Sequence, residues 1–183
     1  MQDDRMLGTL TVKEHLSYVA RLRLPSYLTY EQKMARVDEV LEELSISHIA
    51  DSIIGTTTSR GISGGEKRRL SIATELITDP PILFLDEPTS GLDAYTAYSL
   101  VQTLQKLAHD KERTIVVSIH QPRSNIYYLF DSLMLLAYGE VIYYGTANDS
   151  LPYFNALNHN CPPNYNPADY FIDLVQMVYQ HIQ

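Results

Sequence analysis

Cysteine is almost absent from the 183 residues: Cys161 stands alone, so no intrachain disulfide forms, and the usage suits a reducing compartment. Positive charge is scarce as well. Fourteen Lys and Arg against 22 Asp and Glu give a net charge of -8. That balance argues against a protein that coats nucleic acid, although an acidic domain still binds an anion at a local site. The one compact basic cluster, Lys67-Arg68-Arg69, reads as a solvated helix face. No apolar run reaches the roughly 18 residues of a membrane-spanning helix; the best candidate, Leu133 to Tyr144, is interrupted by Gly139 and Glu140. The polar, acidic start Met1-Gln2-Asp3-Asp4-Arg5 is not expected to act as a secretory signal. His15, His48, His109, His159 and His181 show no metal-ligand spacing, and there is neither a zinc pattern nor an assembled nucleophile triad. The chain also lacks G-x-x-x-x-G-K-S/T, the loop whose backbone cradles the phosphates of a bound nucleotide.

What is present describes a globular α/β protein. Hydrophobic residues make up 45% and charged residues 20%, enough apolar surface to build one real core. Thr11 and Glu14 have capping-box spacing, with Val12, Leu16, Val19 and Ala20 following on one helical face before Pro25. Thr29 and Gln32 repeat the signal ahead of Met34, Val37, Leu41 and Leu44, which predicts a second amphipathic helix. Residues 51–65 are rich in Gly, Ser and Thr and read as a loop. A helix is expected from Gly65 to Thr78, ended by Asp79-Pro80-Pro81. Ile82-Leu83-Phe84-Leu85 has the all-apolar pattern of a strand buried on both faces of a parallel sheet. Asp93 is placed to cap a helix with face Ala97, Leu100, Val101, Leu104 and Ala108, and Thr114 to Ile119 reads as a second buried strand. Leu133–Leu136 and Val141–Tyr144 read as two more strands joined across Gly139. A last helix is expected from Asn166-Pro167, carrying Phe171, Ile172, Val175 and Val178.

Three constellations carry chemistry. Asp86 and Glu87 stand at the end of the Ile82–Leu85 strand, where the first carboxylate is a rigid hard ligand for magnesium and the second is placed to orient or deprotonate water. Ser63-Gly64-Gly65-Glu66 precedes a helix; a hydroxyl and backbone N–H groups at the positive end of a helix dipole make an anion site. His120 directly follows the second strand and is a candidate to contact a phosphate or position a water. Each has a plain structural reading when taken alone: a strand ending in acids, a helix cap, a structural histidine.

Their order decides between these readings. Ser63-Gly64-Gly65-Glu66, then Leu83-Phe84-Leu85-Asp86-Glu87-Pro88, then Ser90-Gly91-Leu92-Asp93, then His120 resembles the ABC ATPase family: signature motif, Walker B strand, D-loop and switch histidine. Gln2 with Asp3-Asp4 resembles the Q-loop. Glu66 departs from the glutamine usual in that family. Thr89–Asp93, Ser118-Ile119-His120-Gln121-Pro122-Arg123 and Asn166-Pro167-Ala168-Asp169-Tyr170-Phe171 are similar to the eukaryotic G subfamily, the white-type half-transporters. The resemblance implies a P-loop NTPase-like, RecA-like parallel sheet with a helical signature subdomain, its N-terminal P-loop portion missing. It implies a Q-loop and helical signature subdomain over 1–78, a RecA-like core over 79–150, and a connector over 151–183 toward a transmembrane domain absent from this chain. Met1 is expected to be an internal methionine taken as a start, or the chain a fragment.

The resemblance also implies ATP and Mg2+ as ligands and a second ABC nucleotide-binding domain as partner, with no nucleic acid involved. By that likeness Asp86 and Gln2 serve the metal, Glu87 and His120 the chemistry, and Ser63, Gly64, Gly65, Glu66 and Asp93 the nucleotide across the dimer seam. The parent is expected at the cytosolic face of a membrane; this chain alone is expected to be soluble and inactive. The competing reading is a non-catalytic module that docks on an intact half-transporter.

Overall fold

The computed structural model describes residues 6–56 and 58–180, with side chains given as far as residue 177; Gln2 lies outside the described residues. The chain divides into two compact units, Met1–Ser118 and Ile119–Gln183.

The first unit opens with α1 (Val12–Arg23) and α2 (Tyr30–Glu43), followed by a 3-10 turn at Ser47–Ile49, α3 (Gly64–Leu76), β1 (Ile82–Asp86), α4 (Ala94–Asp110) and β2 (Thr114–Ser118). Both capping boxes form. Thr11 accepts from the Glu14 N–H while Glu14 accepts from the Thr11 N–H, and Thr29 and Gln32 do the same. Each such cap contributes about 1 kcal/mol by satisfying helix-end donors. Val12, Leu16 and Ala20 of α1 and Val37, Val40 and Leu41 of α2 enter one core with Leu70, Ala73 and Leu76 of α3, as well as Leu100, Leu104 and Leu107 of α4. Leu107, not Ala108, is the last fully buried position of α4, since the longer side chain reaches the core from the helix's last turn. The third helix begins at Gly64 and ends at Leu76, one residue early at its start and two at its end relative to the pattern. Asp79, with φ +52°, turns the chain before the prolines.

β1 and β2 pair in parallel, Ile82 opposite Thr114 through Asp86 opposite Ser118. Leu83 is buried, and Leu85 and Ile115 pack against the same core. The opposite face differs from expectation: Phe84 is 74% and Val116 45% exposed. A side-chain period of two sends alternate residues to opposite faces, and among the described residues only one face is covered.

The second unit holds α5 (Ser124–Tyr127), β3 (Ser132–Ala137), β4 (Glu140–Thr146), α6 (Ala147–Ala156) and α7 (Pro167–Gln180). β3 and β4 form an antiparallel hairpin with an irregularity between Leu135 and Leu136. Tyr138 and Gly139 both have positive φ, the geometry of a tight two-residue turn whose twist suits the strands. Tyr127, Tyr143, Phe154 and Phe171 make its core. The Tyr127 hydroxyl lies 2.5 Å from Ser150 Oγ, and burial pushes its pKa up to about 12. Among the described residues no helix is long and apolar enough to cross a membrane.

Candidate functional site

The tip of α3 is built by Ser63. Its extended backbone ends the loop, its Oγ accepts from the Glu66 N–H at 3.3 Å, and the Glu66 carboxylate accepts from the Ser63 N–H at 2.7 Å. Hydrogen bonding from Ser63 holds the Glu66 carboxyl below its usual pKa range, and its other oxygen lies 3.6 Å from His48 Nε2. This third capping box uses the first and fourth N–H groups of the tip and leaves those of Gly64 and Gly65, with the Ser63 hydroxyl proton, as donors for an anion.

The two glycines have different reasons. A Cβ on Gly64 would meet nothing within 4 Å, whereas one on Gly65 would lie 2.4 Å from Thr96 Cγ2. Gly65 therefore permits close approach of α3 to the start of α4. Gly64 keeps open space in front of the tip. The Thr96 side chain cannot readily turn aside, because its hydroxyl donates to Asp93 Oδ2 at 2.5 Å. Asp93 caps α4 in turn, accepting from the N–H groups of Tyr95 and Thr96, each at 3.1 Å. The Thr96 hydroxyl, followed by these backbone donors, lowers the Asp93 pKa. Ser63–Glu66 and Asp93 thus occupy two adjoining helix N-termini.

Asp86 closes β1 opposite Ser118 at the end of β2. The Ser118 hydroxyl donates to Asp86 Oδ1 and accepts from the Glu87 N–H at 3.0 Å, while the Ser118 carbonyl accepts the same N–H at 3.1 Å. Glu87 is exposed and left-handed, φ +42°, a conformation that costs a non-glycine residue about 1 kcal/mol or more and persists where its neighbours hold it. The Ser118 bonds do so here. The Glu87 carbonyl then accepts from Ser90 N–H in the turn leading to Asp93. Ser118 is the residue that motif reading did not assign; the strand register, which sets it beside Asp86, is the signal that finds it.

One free, exposed Asp86 oxygen is a hard donor suited to magnesium. Among the described residues no group of three or more His, Cys, Asp and Glu is arranged to hold a metal. That donor set fits an ion that brings phosphate and water ligands of its own, as magnesium does, and not one caged by protein. His120 is exposed at the start of the second unit, beside Gln121 with φ +46°.

Comparison with known proteins identifies the family. Residues 1–90 match the family described as ABC transporter and residues 120–183 that described as ABC-2 type transporter. "Protein white" of Drosophila melanogaster is 47% identical over 178 residues, which is 97% of this chain and 26% of that protein. "ABC transporter G family member 1" of Dictyostelium discoideum is 48% identical over 176 residues, 95% of this chain and 22% of the relative. The solved dimer of the ATP-binding cassette MJ0796 in a post-hydrolysis state, bound to ADP and Pi, superposes with a TM-score of 0.61 at 26% identity, over 80% of this chain and 61% of that one. The chain thus spans about a quarter of the length of these curated relatives. Its α/β architecture with a parallel strand pair is that of the ABC ATPase domains, and the chain belongs to the ABC transporter family, in its white-type G branch, as part of an ATP-binding domain.

Proposed function

We propose that this chain supplies two separate half-sites to the ATPase of a white-type membrane exporter, at the cytosolic face and in a dimer with a second nucleotide-binding domain. The observation that carries the proposal is the pairing of a donor-rich helix tip, Ser63–Gly65, with an acid-ended strand whose second carboxylate, Glu87, is exposed and held in a left-handed turn. When bound, MgATP supplies an electrophilic γ-phosphorus with its charge partly compensated. Asp86 would hold the metal that comes with the nucleotide, helped by Gln2. Glu87, whose carboxylate has no partner among the described residues, orients the attacking water and takes up its proton. His120, in the second unit, is by the family resemblance a nucleotide-facing residue. Ser63, Gly64 and Gly65 offer a hydroxyl and two N–H groups to the terminal phosphate held by the partner, Glu66 stiffens that tip, and Asp93 lies at the seam.

The 183 residues lack the G-x-x-x-x-G-K-S/T cradle, so neither half-site alone holds a triphosphate. The expected result for this polypeptide by itself is no heat of MgATP binding in titration calorimetry and no phosphate release. A micromolar, magnesium-dependent site would refute the division into half-sites.

A further inference from the structure

The loop that follows His120 is held from a distance in sequence by one side chain. Asn166 Nδ2 donates to the Pro122 carbonyl at 2.9 Å and to Asp169 Oδ2 at 3.0 Å, while its Oδ1 accepts from Ser124 Oγ at 3.1 Å and the Ala168 N–H at 3.4 Å. Both amide protons and both acceptor directions are used. The orientation is fixed by chemistry, because a backbone carbonyl and a carboxylate can only accept.

Two of these four bonds reach the segment Pro122–Ser124. On one side of that segment Ile126 and Tyr127 are anchored in the core of the unit. On the other, Gln121 is left-handed, φ +46°, and a non-glycine residue keeps that conformation only when its surroundings impose it. Pro122 has no N–H with which to secure the turn itself. The Pro122 carbonyl, fixed by Asn166, thus lies one residue after the left-handed Gln121 and two after His120.

From this we infer that Asn166 is a positioning residue for His120, acting through the Pro122 carbonyl and the Ser124 hydroxyl; the inference rests on the reading of His120 as a nucleotide-facing residue. The plainer alternative is that Asn166 only caps α7. Asn166→Ser separates them: serine is as good a helix cap as asparagine but is too short to reach Pro122.

The test uses a full-length chimera in which this chain replaces the matching segment of the Drosophila relative, assayed for steady-state ATPase and thermal midpoint. Asn166→Ser is expected to lower kcat roughly 10- to 100-fold, the scale of a small misplacement of a reacting group, with KM for ATP and the thermal midpoint little changed. His120→Ala is expected to lower kcat at least as much. An unchanged kcat, or a change in KM alone, for Asn166→Ser beside an impaired His120→Ala overturns the inference and leaves the role of His120 standing. An unimpaired His120→Ala overturns both. Should Asn166→Ser fail to fold, Ser124→Ala, which removes one hydroxyl from the same clamp, is expected to lower kcat in the same way to a lesser degree; no loss there overturns the inference.

Discussion

Replacing Glu87 by Gln in the full-length chimera is expected to lower ATP turnover by a factor of about 100 to 10,000, the range a general base contributes, while leaving ATP affinity nearly unchanged. Glutamine keeps the size and one acceptor of the carboxylate but cannot take a proton at neutral pH. The fold has little reason to respond, because the side chain is exposed and its placement comes from backbone bonds to Ser118. A rapid-quench measurement of single-turnover hydrolysis reads the effect; a variant that turns over at the parent rate would remove Glu87 from the chemistry.

The second large effect is on stability. Arg36 reaches from α2 to the end of α3, donating to the Leu76 carbonyl at 2.6 Å and the Ile77 carbonyl at 3.4 Å, to Glu39 at 2.7 Å and to Glu43 at 3.1 Å. A cation there complements the helix dipole and satisfies orphan carbonyls. Glu43 is only 8% exposed, and its remaining cations are more distant, Lys111 at 3.6 Å and Arg113 at 3.9 Å. Glu43 Oε2 and Arg113 Nη1 have no hydrogen-bond partner of their own. Removing one member of a buried ionic cluster leaves the others desolvated and uncompensated. Arg36→Ala is expected to cost about 3 kcal/mol, the lower end for such a loss because two cations stay near. For a domain of this size that is a fall of roughly 6–12 °C in the thermal midpoint. Arg36→Lys, which keeps the charge but not the fork, should fall between. A shift under about 2 °C for the alanine variant would show the cluster to be energetically idle.

Local signals were the legible part of this fold. A threonine three residues ahead of Glu14 or Gln32 names a helix start because the reciprocal bonds need only those two residues. Asp93 was readable on a similarly local signal, its carboxylate accepting from the N–H groups of Tyr95 and Thr96 just after it. The helix Ala147–Ala156 was missed: Pro152 lies inside it, and a proline ordinarily argues against a helix interior. The Thr146 hydroxyl accepting from the Asp149 N–H was the local start signal available there. Residues whose reasons lie across space were less legible. Nothing near Gly65 in the chain announces Thr96, and Ser118 acquires meaning only through its register with Asp86. Phe84 illustrates the opposite error, since an apolar run reports what a strand is suited to pack against and not what covers it.

The central claim is that the helix tip and the acid-ended strand of one subunit serve different nucleotides. Doubly tagged dimers of the full-length chimera test it directly, combining Glu87→Gln with Gly64→Asp, at a position where an added Cβ meets nothing within 4 Å, so as to put a carboxylate where a phosphate would approach. With the two changes in separate subunits, one site keeps both of its halves, and single-turnover hydrolysis should retain a burst of one ATP per dimer. With both changes in the same subunit each site loses a half, and the burst should vanish. The reverse pattern would contradict the account.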